Sequence, residues 1–175
     1  MSHFFVVFLE RVGRSQKMGK LQVDRGLTVK VGAVCALMPG IKTFGQDDQK
    51  FYVNSGATLE VAASGMAKII GETFSVADGA VLGFNFTERK TAPVLAPGST
   101  TPAMKVGGAV AVKVSGDVWP IAGEYQLTTL GGFDADGVTV SLASVHPKWA
   151  KSVRVNEEGN IVLTVRPMPT VITVR

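Results

Sequence analysis

The chain has 175 residues, enough for one domain with a sizeable core but not for a second full domain of the usual size, about 100–150 residues. Hydrophobic residues make up 46%, aromatics only 7%, and there are 20 glycines; a mixture dominated by Val, Ala and Leu suits pleated, closely stacked strands rather than a helical bundle. The formal charge of +4 is split between Arg11, Arg14, Lys17, Lys20 and Arg25 at one end and Lys148, Lys151, Arg154, Arg166 and Arg175 at the other, which reads as solvated surface with no nucleic-acid partner.

In chain order, residues 1–17 are expected to form an N-terminal extension and 18–175 a single β-repeat domain. Within the extension, Phe4-Phe5-Val6-Val7-Phe8-Leu9 has no basic stretch before it and falls short of the ~7–15 apolar residues of an export-signal core. No apolar run reaches the ~18 residues of a membrane span.

From there a phrase recurs: apolar residue, polar pair with Gly, then alternating apolar positions. It runs through Leu21–Val31, Phe51–Val61, Phe74–Phe84, Met104–Val112 and Val153–Val165. Asp, Asn and Gly close a tight turn, and the flanking period of two places one row of side chains inside. Each phrase is therefore a strand, a turn and another strand. Stepping between Val23, Val53, Val76, Val106 and Val155 gives distances of the order of the ~20–50 residue repeats of solenoids. The fold class is read as all-β, a β-solenoid stack of the right-handed parallel β-helix kind, with an antiparallel β-sandwich as the alternative.

Cys35, the single cysteine, rules out an intramolecular disulfide framework and lies in the apolar run Val34–Met38, as a buried structural thiol would. Glu60 to Ile70 has some helical character, but Gly65 favours strand. Pro93, Pro97 and Pro102, with Gly98-Ser99-Thr100-Thr101 between them, predict a loop over 91–103. A smaller break is expected at Asp117-Val118-Trp119-Pro120.

Gly123-Glu124-Tyr125-Gln126-Leu127-Thr128-Thr129, Gly131-Gly132-Phe133, Val138-Thr139-Val140-Ser141-Leu142 and Val155 to Val165 resemble the closing segment of autotransporter-type passenger domains. Asn54–Val61 and Ala77–Leu82 look like the repeats that precede such a segment. The resemblance spans roughly residues 51–165 and implies a β-helix with a terminal cap, exported from a Gram-negative bacterium and acting as scaffold or adhesin at the cell surface. The chain departs from that pattern in its lack of a signal peptide and of a following membrane barrel, and in its few repeats; a piece of a longer surface protein, or a small relative with another role, is expected.

For chemistry, no Gly-x-Ser-x-Gly motif is present, and the two histidines, His3 and His146, stand in unrelated settings, read as a chain tip and a turn. Glycoside hydrolysis needs two facing carboxylates. The candidates are Glu72 with Asp78 and Asp117 with Glu124; the adjacent pairs Asp47/Asp48 and Glu157/Glu158 point to opposite faces of a strand. Asp134-Ala135-Asp136-Gly137 opens like a calcium loop but continues into Val138-Thr139-Val140, so a hairpin turn is the plainer reading and calcium the sharper one. No other cofactor is expected. Trp119, Tyr125 and Trp149 are candidates for stacking on a sugar face, while as large aromatics their plainer role is to cap the end of a solenoid. Asn85-Phe86-Thr87 fits a glycosylation acceptor by chance composition. The sequence thus supports a non-catalytic β-repeat domain of a bacterial surface or secreted protein, acting as scaffold, adhesin or carbohydrate-contacting module with polysaccharide as its expected partner, with two alternatives: a small polysaccharide-active hydrolase or lyase, and a self-associating domain pairing through open strand edges.

Overall fold

The structure is a computed structural model that describes residues 21–23, 27–44, 50–133, 137–143 and 147–169. Its first twelve strands are β1 (Leu21–Val23), β2 (Leu27–Val29), β3 (Val34–Leu37), β4 (Gly40–Phe44), β5 (Lys50–Val53), β6 (Thr58–Val61), β7 (Gly65–Ile70), β8 (Thr73–Val76), β9 (Ala80–Asn85), β10 (Pro93–Pro97), β11 (Ala103–Val106) and β12 (Ala109–Ser115). Four more follow: β13 (Gly123–Gln126), β14 (Thr139–Leu142), β15 (Ala150–Val155) and β16 (Ile161–Val165). Strands alternate over three parallel sheets: β1-β4-β7-β10 (sheet A), β2-β5-β8-β11 (sheet B) and β3-β6-β9-β12-β14 (sheet C). Every third strand returns to the same sheet one level higher, so the chain winds through four coils of a β-solenoid. No helix occurs among the described residues.

The period-two pattern fixes which side chains enter the stack. On sheet B, Leu27, Phe51, Phe74 and Met104 form one inward ladder, and Val29, Val53, Val76 and Val106 another. On sheet C, Cys35, Leu59, Leu82 and Val112 stack, as do Leu37, Val61, Phe84 and Val114. All but the two topmost sheet-B residues, Met104 and Val106, are fully buried. Each coil therefore buries a face that only its neighbours can cover.

Corners differ in how strictly they hold length. Between sheets B and C, the step is five positions at every level, from Val29 to Val34, Val53 to Thr58, Val76 to Val81 and Val106 to Ala111. Gly32, Gly56 and Gly79 stand there with φ near +70°, a backbone that L side chains rarely adopt, and the Gly32 and Gly56 N–H groups donate to the Gly56 and Gly79 carbonyls at 3.0 Å. The other corners vary, and the fourth coil is longer than the third because 86–92 and 98–102 absorb extra residues.

The stretch 91–103, expected as a loop, contains β10, paired in register with β7. Its prolines mislead for a physical reason. Pro93, Leu95 and Pro97 alternate, so their nitrogens share one edge, and along that edge, among the described residues, the sheet continues only as the Leu95–Thr128 bridge. Pro93 and Pro97 also end the strand, where no ladder donor is required.

Above the fourth coil the order changes. Thr128 bridges Leu95 and β14 extends sheet C, and the chain then closes the stack with an antiparallel sheet, β13-β16-β15. The Val153–Val165 phrase is thus a hairpin of the cap, so the long step to Val155 crosses from coil to cap. Likewise Val23 lies on sheet A, and the position equivalent to Val53 is Val29.

Candidate functional site

A concavity of about 540 Å³ lies on the outer side of sheet B and its corner with sheet C. It follows from side-chain size. The outward residues climb from Tyr52 on β5 to Ser75 on β8 and Lys105 on β11, while the corner climbs from Asn54 to Ala77 and Gly107. Small residues on the third coil form a floor between the ring of Tyr52 below and Lys105 with Met104 above. Gly132, from the segment above the fourth coil, closes one wall; it sits so tightly over the fourth coil that a Cβ there would lie 2.5 Å from the Met104 Cβ. Tyr52 is 36% exposed and makes no side-chain hydrogen bond among the described residues. Among the described residues, Lys105 is the only charged one in the lining and none is a carboxylate.

The residues singled out from the sequence lie elsewhere. Glu72 is on the corner before β8 and Asp78 on the corner after it, separated by a strand of four residues, about 13 Å at ~3.3 Å each, against the ~5–9.5 Å between cooperating carboxyl groups. Asp78 serves the fold instead, since its Oδ1 accepts the Ala109 N–H at 2.6 Å. Gly108 makes room for it, since a Cβ at 108 would come 2.2 Å from that oxygen. Asp117 lies exposed in the turn after β12. Glu124, on the cap, accepts a hydrogen bond from the Arg154 guanidinium at 2.9 Å, both side chains being half exposed.

Of the three aromatic candidates, Trp149 is 4% exposed, with its ring edge-on to Phe86 at 5.1 Å. Tyr125 packs edge-on against the same ring at 5.6 Å, and its hydroxyl donates to the Ile121 carbonyl at 2.9 Å; burial pushes its phenol above the ordinary value. Trp119 is half-buried against the core and donates from Nε1 to the Arg166 carbonyl at 3.1 Å. Phe86, itself fully buried at the end of sheet C, thus anchors an aromatic cluster that seats the cap. Trp149 offers no face to a ligand. Asn85 is also structural, its Nδ2 donating to the Ala62 carbonyl at 3.0 Å.

Asp134, Asp136, His3, His146, Asp47 and Asp48 lie outside the described residues, and with them the calcium-loop reading. Among the described residues no three His, Cys, Asp or Glu side chains gather as a metal site would require. Cys35 is buried in the first coil, and desolvation pushes its thiol up to about 11, the state of an inert core cysteine.

Sequence reasoning passed over Tyr52 because it sits inside a repeat phrase, where an aromatic reads as core. The signal that finds it is alternation: Phe51 and Val53 are inward, so Tyr52 must point out.

In comparison with known proteins, no family model, curated protein or solved structure matches the chain.

Proposed function

We propose that this chain is a non-catalytic β-solenoid module of a bacterial surface or secreted protein that acts as a scaffold and contacts polysaccharide through the outer face of sheet B. The observation that carries the reading is the exposed ring of Tyr52 over a floor of small residues; an amphipathic aromatic face of this kind suits the apolar side of a sugar. The scattering of Glu72, Asp78, Asp117 and Glu124 over separate corners and the cap argues against hydrolysis. The resemblance to autotransporter passengers favours an extracellular setting.

The test is to incubate the protein with a panel of neutral and acidic polysaccharides, following gel retardation and reducing-end release together. Retardation without cleavage, lost in Tyr52→Ala, is the expected result. Cleavage abolished by replacing a single carboxylate would overturn it in favour of a hydrolase.

A second reading, self-association, draws on the first coil. Among the described residues β1, β2 and β3 each pair on one side only, and Val31 and Val34 are 73% and 41% exposed; open strand edges with apolar neighbours invite pairing. Sedimentation velocity over a concentration series tests it, a dimer weakened by Val31→Lys being expected.

A further inference from the structure

We infer that the sheet B concavity selects an anionic polysaccharide, one bearing carboxylates along its backbone, with Lys105 and Lys50 as the charge-reading residues and Tyr52 as the stacking residue. The inference rests on the sugar-contact reading of the same site and adds the ligand's charge to it.

Charge complementarity carries it. Among the described residues of the lining, Lys105 alone is charged and none is a carboxylate. Asp78, just past the lining on the same corner, keeps its negative charge and turns its Oδ1 to the Ala109 N–H. Lys105 stands two strands above Tyr52 in register, through Ser75, a rise of about 10 Å at ~4.8 Å per strand. Lys50 is exposed on the outward row of β5, two residues from Tyr52, about 7 Å along the strand. Two ammonium groups therefore stand on different sides of one aromatic ring.

Geometry then assigns roles. A sugar ring lying on Tyr52 places the chain over the Ser75 and Ala77 floor, where only small side chains meet it. A carboxylate one or two sugars further on reaches Lys105, and one on the other side reaches Lys50. Asn54 and Ser75 supply neutral hydrogen-bonding groups to hydroxyls between them. Lysine, a hydrated point charge on a flexible stem, suits carboxylates that recur along a polymer without one fixed orientation.

The experiment uses the full chain with polygalacturonate and its fully methyl-esterified form as probes, the same backbone with and without charge, measured by affinity electrophoresis and calorimetry. Expected are preferential binding of polygalacturonate, a loss of about tenfold in Lys105→Met from one charge-assisted contact, and no change in that variant toward the ester. Tyr52→Ala should weaken both. Binding of the acid should also fall steeply at ~1 M salt, where the screening length is about 3 Å. Equal binding of acid and ester, unaffected by Lys105→Met, would overturn the charge assignment while leaving the sugar-contact reading standing. If neither polymer nor any neutral one binds, both fall. Binding of duplex DNA as tight as that of polygalacturonate, with the same dependence on Lys105, would show a general polyanion surface and overturn the saccharide assignment. Both substituted side chains point outward, so circular dichroism matching the parent chain secures the comparison.

Discussion

The coil stack and the cap are both made of strand, glycine turn and strand, yet they stabilise themselves in opposite ways. In the coils, pairing partners are 21 to 30 residues apart, the strands are parallel, and the turns never join partners. In the cap, β15 and β16 are joined by the Asn156–Asn160 turn and pair antiparallel. The same local vocabulary thus yields a long-range stack where inward ladders match and a local hairpin where the chain must end. The cap covers the last coil with buried apolar side chains, Trp149 against Phe86 with Ile161, Leu163 and Val165 in the same core, and polar fasteners tie β16 to the segment above the fourth coil: the Ile161 N–H donates to the buried Thr128 Oγ1 at 2.9 Å, the Gly131 N–H to the buried Asn160 Oδ1 at 2.8 Å, and the Leu127 N–H to the Ile161 carbonyl at 2.8 Å.

The largest expected effect lies in the stack. Phe74 is fully buried, with its ring 5.2 Å from that of Phe51, and Phe74→Ala removes the middle of a ladder at a cost of about 3–5 kcal/mol, to be read from the urea midpoint. Both neighbouring coils lose their contact, so the transition should shift for coil and cap probes alike; a shift confined to one of them would break the idea of a single cooperative stack.

Next in size is a pH effect on the first coil. The Cys35 thiol has its folded pKa raised to about 11 from 9.0, so the stability it contributes is fully present below pH ~9 and is lost as pH rises through ~11, because the unfolded chain ionises first. The total is of the order of 2–3 kcal/mol. Chemical denaturation between pH 8 and 11 (roughly the window those pKa values define) should show this loss in the parent chain and not in Cys35→Ala.

A smaller effect separates cap from stack. Thr128→Val leaves the Ile161 N–H without its acceptor, a cost of about 1–3 kcal/mol, and hydrogen exchange should quicken in β16 while β8 stays protected. Equal acceleration in both would show that the cap cannot loosen alone. Smallest is Glu124→Gln, which removes an exposed ion pair worth under about 1 kcal/mol; its effect should vanish in high salt.

The contrast also explains what could be read before the structure. Stacking was legible because inward Val and Phe positions recur around a Gly turn, and the steps Val53 to Val76 and Val76 to Val106 are true coil steps. The hairpin Val153–Val165 obeys the same local grammar, so pattern alone could not tell a cap from a coil; strand direction depends on which partner lies above. The prolines of β10 were misread because the rule against proline in strands assumes both edges are paired. At the site, Trp119, Tyr125 and Trp149 drew attention by ring size, but Phe86 absorbs two of them. Tyr52 was legible only by its alternation between two buried neighbours, and the small residues that make room around it are visible only when successive coils are aligned.

The fixed corner between sheets B and C has a practical consequence. Seven residues were added between the third and fourth coils, five of them in 86–92 and two in 98–102, without shifting one rung of the register. The protein therefore separates its ruler from its slack: one edge meters the rise of the stack, and the other two accept foreign sequence. A peptide epitope grafted within 99–101, the exposed part of that segment, would be displayed beside sheet B at a known height, with the concavity around Tyr52 left intact.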